Sequence, residues 1–216
     1  MNNLIRERKG MLILSLLVIL LPLGVGLFLW NQLPDQVPIH FGLNGQADNY
    51  AGKAFVVFGL PLLMAALQVL LLVVTMADPK GKNIAAKPFG LLLWICPLVS
   101  LFCGTMTYAK ALALPVDINL VGGLFLGLMF LVVGNYLPKC KQTYTVGIRL
   151  PWTLADEDNW AYTHRLAGKV WTIGGLVILA LTFLRLPVLQ FVVILVLVLI
   201  PTAASFLYAR DRRAHV

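Results

Sequence analysis

Six apolar runs, separated by polar loops, take up most of this chain: residues 11–30, 54–77, 88–109, 116–137, 169–184 and 188–208. A helix that crosses the hydrocarbon core of a bilayer needs roughly 20 mostly apolar residues. None of the six runs carries Asp, Glu, Lys or Arg near its centre. The fifth is short, and a polar helix upstream is expected to feed into it. A soluble helical bundle is the competing reading. It is disfavoured by 60% hydrophobic residues, only 12% charged residues and a mean hydropathy of +0.87, because such a fold would lack polar surface. The expectation is an all-α, polytopic membrane protein forming a single membrane domain over 1–216. It has six transmembrane helices, a small extracellular hairpin or loop at 31–53, and a cytoplasmic interfacial helix in a motif loop at 138–168.

In a soluble protein a net charge of +8 would suggest nucleic acid. Here the distribution of that charge gives a better explanation, and no direct nucleic-acid contact is expected. Of the 17 basic residues, 14 flank the runs on one side: Arg6, Arg8, Lys9, Lys80, Lys82, Lys87, Lys139, Lys141, Arg149, Arg165, Lys169, Arg210, Arg212 and Arg213. Lys53, Lys110 and Arg185 make up the other 3. The positive-inside rule then puts both termini in the cytoplasm of a multi-pass plasma-membrane protein. The first run reads as a retained signal anchor, since no small-x-small cleavage site follows it. Cys96 and Cys103, seven residues apart on one helix, stand about 10 Å apart along its axis, so no disulfide is implied.

Two loops are longer than a hairpin needs. In the outer one, Val37, Ile39 and Phe41 alternate and Asn44-Gly45 is a turn signal, which predicts a β-hairpin. His40, Phe41, Asp48 and Tyr50 are its candidate recognition residues, because ordered loops commonly carry binding function. His40 and Asp48 lack the third ligand that zinc needs, so no metal is expected. In the second loop, Thr153 with Asp156 three residues on predicts a helix N-cap, and Asp156, Glu157 and Asp158 suit a first helical turn. Trp160, His164, Ala167 and Trp171 fall on one helical face. Trp152 and Trp160 are expected at the headgroup level.

Arg149, Pro151, Trp152, Trp160 and Arg165 form the candidate cytoplasmic docking set. The bland alternative is membrane anchoring, with Trp at the interface and Arg149 and Arg165 near lipid phosphate or paired with the acidic turn. No Ser, Cys or Thr has a plausible base and orienting partner, so no catalytic residues and no cofactor are expected. Asn135 is the candidate for lining an intramembrane ligand site. It supports an alternative reading as a small transporter or lipid-binding protein. A weaker alternative is an intramembrane hydrolase using His40 or His164. Gly122, Gly123 and Gly127 in the fourth run, with Gly174 and Gly175 in the fifth, are expected to permit close helix approach.

The strings Val133-Gly134-Asn135-Tyr136-Leu137, Gly147-Ile148-Arg149-Leu150-Pro151-Trp152-Thr153-Leu154 and Trp160-Ala161-Tyr162-Thr163-His164-Arg165-Leu166-Ala167-Gly168 resemble the signature of the SdpI family. Residues 33–53, with Leu33-Pro34, Val37-Pro38-Ile39-His40-Phe41, Gly45, Asp48 and Lys53, look like the domain that commonly precedes it. The resemblance implies a bacterial six-span plasma-membrane immunity protein. The family's namesake confers immunity to a secreted toxic peptide and sequesters a cytoplasmic autorepressor at the membrane. The partners expected by resemblance are therefore the lipid bilayer, an extracellular peptide toxin and a cytoplasmic transcriptional repressor. The resemblance brings no catalytic residues with it.

Overall fold

The computed structural model describes residues 6–214. Six helices are long and apolar enough to cross a membrane. They are α1 (Lys9–Phe28), α2 (Leu60–Met76, led in by a π-helical turn Phe55–Gly59), α3 (Ala86–Ala111), α4 (Ile118–Tyr136), α6 (Glu157–Phe183) and α7 (Pro187–Ala214). A short α5 (Pro151–Ala155) precedes α6. Strands β1 (Gln36–Phe41) and β2 (Ala47–Gly52) form one antiparallel pair.

The distribution of side chains is that of a bilayer protein. Ser15, Gln68 and Thr75 are fully buried, while Leu17 (59%), Ile173 (63%) and Leu199 (61%) are largely exposed. Lipid provides no partners for polar groups, so these turn inward and bond to helix carbonyls. Apolar side chains can face the acyl chains at no cost.

Contacts gather into two compact units, one of residues up to 76 with 89–121, the other of 77–88 with 122 onward. In the first unit, Ser100 donates to Ile19 O at 2.9 Å and Tyr108 to Pro22 O at 2.9 Å. These donors reach α1 beside Pro22, which has no N–H for the helix ladder. The Gln68 amide donates to Leu93 O at 3.2 Å. The hairpin is joined to its unit by a buried cluster of Leu33, Val37, Val56, Val57 and Tyr108.

In the second unit, glycines bring helix backbones together. A Cβ on Gly134 would lie 2.7 Å from Thr172 N, and one on Gly175 would lie 2.8 Å from Gly127 O. The expected close approach of the fourth and fifth spans is thus made at Gly127 and Gly175. It is extended by Gly134 and Gly168, which were not anticipated.

Two local expectations need correction. Thr153 is not the N-cap of the long helix. Asp156 is, and it accepts from Asp158 N at 2.8 Å, while Thr153 sits inside α5 and accepts from Leu150 N at 2.9 Å. Asn135 is exposed on α4 rather than turned into a cavity, because Gly134 takes the position against α6. Trp160 is enclosed by protein. It is 2% exposed, since its apolar ring packs under the motif loop and its N–H has a carbonyl there.

Candidate functional site

The hairpin carries the first candidate group. Gly45 has φ +74°, a conformation that favours glycine, and closes the turn with Gly42 N bonded to Gln46 O at 2.9 Å. A bulge after Pro38 breaks the strict alternation of the strand and turns His40 outward. His40 Nδ1 lies 2.5 Å from Asp48 Oδ1, and both side chains are exposed. Tyr50 is exposed opposite Pro38, and Phe41 is half-buried. Three of the four residues are therefore accessible on the hairpin. Its inner side is held by Val37, and its tip by Asn119 Nδ2 donating to Leu43 O at 3.0 Å.

The motif region starts where Pro138 and the 3-10 turn Leu137–Lys139 end α4. Residues 140–150 then run without regular structure, so their buried backbone groups need side-chain partners. Asp78 Oδ2 accepts from Tyr144 N at 2.9 Å and from the Thr145 hydroxyl at 2.7 Å, while Oδ1 accepts from Lys80 N at 2.8 Å. The Gln142 amide donates to Thr153 O and Leu154 O at 2.9 and 3.0 Å. Asn83 donates to Gln142 O at 2.9 Å, and the Lys80 ammonium donates to Gln142 Oε1.

Trp160 and His164, one turn apart on α6, form the floor under this loop. Their rings stack at 4.0 Å. The Trp160 indole donates to Cys140 O at 2.9 Å. His164 Nε2 accepts from Ile148 N at 2.9 Å, and its Nδ1 lies 2.8 Å from Trp160 O. A carbonyl only accepts, so Nδ1 must carry the proton and Nε2 the lone pair. The imidazole is thereby held neutral, with both nitrogens committed to main chain. Gly147 crosses above the two rings with φ +127°, and a Cβ there would stand 2.5 Å from His164 Nε2 and 2.6 Å from the indole. That glycine is required both by conformation and by space.

The docking set divides. The Trp152 indole donates to Ser205 Oγ at 2.9 Å and its ring meets Phe206 edge-on at 5.3 Å, tying α5 to α7. Asn159 Nδ2 adds a bond to Ser205 O at 3.0 Å, and Thr163 bonds Asn159 Oδ1 at 2.9 Å. Arg212 pairs with Asp158 at 2.7 Å and Asp156 at 3.5 Å. Arg149, Pro151 and Arg165 remain exposed, although Arg149 is steered by a bond to Tyr144 O at 3.0 Å. Sequence reasoning missed Asp78, Gln142 and Asn159. Asp78 gave one signal, as the single acidic residue between the second and third runs.

Beside Trp160 and His164 opens a cleft of about 590 Å³. Pro138, Ala161 and Trp160 give it an apolar wall; Lys139, Lys141 and Arg165 supply cations. Cys140 lines it as well, and burial pushes its thiol pKa up, away from the reactive thiolate form.

Residues 139–209 match the SdpI/YfhL protein family, and residues 17–65 match a domain of unknown function, DUF1648. The chain is 27% identical over 203 residues to the immunity protein SdpI of Bacillus subtilis (strain 168), an alignment covering 91% of this chain and 94% of that protein. No solved structure matches.

Proposed function

We propose that the chain is a member of the SdpI/YfhL protein family and a non-enzymatic membrane immunity or sensor protein, giving resistance to an extracellular antimicrobial peptide. The observation that carries this reading is the likeness to an immunity protein along almost the full length of both chains, through the hairpin as well as the motif loop. The hairpin adds support, since a rigidly held β-ribbon with His40, Asp48 and Tyr50 exposed is suited to contact a peptide. Basic residues, 14 of 17 on one set of loops, favour cytoplasmic termini and an outward hairpin. Both nitrogens of His164 are engaged by main chain, which disfavours a hydrolase that would use it as a base. In the motif loop, exposed Arg149 and Pro151 form the docking surface for a cytoplasmic repressor, with Trp152 anchoring the short helix that carries Pro151.

Expression in a peptide-sensitive bacterial host tests the reading. The wild-type chain raises tolerance, and His40→Ala with Asp48→Ala lowers it at equal membrane level. A correctly inserted wild-type chain that protects against no candidate peptide overturns the proposal.

A further inference from the structure

We propose that the 590 Å³ cleft beside Trp160 holds the phosphate of an anionic phospholipid headgroup. Three observations converge on it, independently of the immunity reading.

The first is charge. Lys139, Lys141 and Arg165 line the cleft, and none forms an ion pair with a carboxylate among the described residues. Glu157, the acidic residue of the lining, already has Lys80 at 3.5 Å. Lys139 lies over the Tyr136 ring at 4.8 Å, a contact that leaves its charge unneutralised, so the cleft presents cations without carboxylate partners around a concave space and favours an anion. A guanidinium and ammonium groups together suit phosphate, which takes a planar fork and point charges at once.

The second is depth. Lys139 is the last residue of the apolar span Ile118–Lys139, and Arg165 lies one turn before Lys169, where the apolar run of α6 begins. Cations at the ends of two spans stand at the level of lipid phosphates. The third is the mixed wall. Pro138, Ala161 and the edge of Trp160 provide an apolar flank, against which the glycerol end of a lipid can lie while its phosphate meets the cations. The volume falls within the roughly 300–1,000 Å³ of typical ligand clefts.

The test uses the purified full-length chain in neutral detergent, incubated with phosphatidylglycerol, phosphatidylcholine or inorganic phosphate. Retained lipid is counted by native mass spectrometry, and binding of each additive is also read as thermal stabilisation. Lys141→Gln/Arg165→Gln removes two exposed cations of the cleft. Lys110→Gln/Arg185→Asn removes equal charge elsewhere. The expected result is preferential retention of phosphatidylglycerol, reduced at least about tenfold in the cleft variant and unchanged in the control, as two surface cations at roughly fivefold each would give. Equal retention of both lipids overturns the proposal, as does a cleft variant that binds like the control. Stabilisation by inorganic phosphate alone, equal to that by phosphatidylglycerol, assigns the cleft to a soluble anion and overturns the lipid source.

Discussion

Gly147→Ala is expected to unlock the motif loop. The substitution forces a side chain into φ +127°, which costs about 1–3 kcal/mol outside glycine. It also drives a Cβ to 2.5 Å from His164 Nε2 and 2.6 Å from the Trp160 ring. Neither ring is a flexible chain end. Both are buried and tied by hydrogen bonds to Cys140 O, Ile148 N and Trp160 O, so relief requires the loop to lift. Overpacking of this kind adds about 1–3 kcal/mol. A total near 3 kcal/mol corresponds to roughly a hundredfold rise in loop opening, and to a melting-temperature drop of about 6–12 °C for a chain of this size if the unfolding is cooperative. Cys140 reports the opening directly. In a background with Cys96 and Cys103 replaced by Ala, maleimide labelling of Cys140 in detergent is expected to speed up by at least tenfold. Burial holds the Cys140 thiol pKa above the usual range, so wild-type labelling should rise only at higher pH. In the variant the pH midpoint should fall toward that of an exposed thiol. Gly10→Ala, where a Cβ meets nothing within 4 Å, serves as the control. Labelling and melting unchanged by Gly147→Ala would refute the locked-loop argument.

Asp78→Asn should destabilise the second unit by about 2 kcal/mol, because a carboxylate accepting from two backbone N–H groups and the Thr145 hydroxyl is replaced by a neutral amide; thermal melting checks this. Gly134→Leu should sharply reduce membrane accumulation, since its side chain would meet the α6 backbone at Thr172 N; Western quantification against Gly24→Leu, which has open space, decides it. Arg149→Ala is expected to impair repressor recruitment while sparing peptide tolerance, and His40→Ala with Asp48→Ala to do the reverse. Parallel loss of both readouts in both variants would show that the two faces are not separable.

Several features of this protein are legible in its sequence. Helical spans follow from run length alone, because a bilayer admits few other structures for a 20-residue apolar segment. The hairpin followed from alternation of Val37, Ile39 and Phe41 with Asn44-Gly45 between the strands, both of them local signals. The shared face of Trp160, His164 and Ala167 likewise needed only helical periodicity. What periodicity leaves open is which partner lies across that face. Trp160 reads equally well as a surface anchor until the loop 140–150 folds over it. Asp78, Gln142 and Asn159 are widely separated from, or inconspicuous beside, the groups they hold, and their bonds reach Thr145, Leu154 and Ser205 only after chain reversal. An irregular segment has no repeating ladder of its own, so long-range side-chain bonds must satisfy its backbone, and local sequence does not encode those pairings. Asn135 and Gly134 illustrate the same division: adjacent residues in one apolar span differ in role because the packing of α4 on α6 selects which of them faces inward.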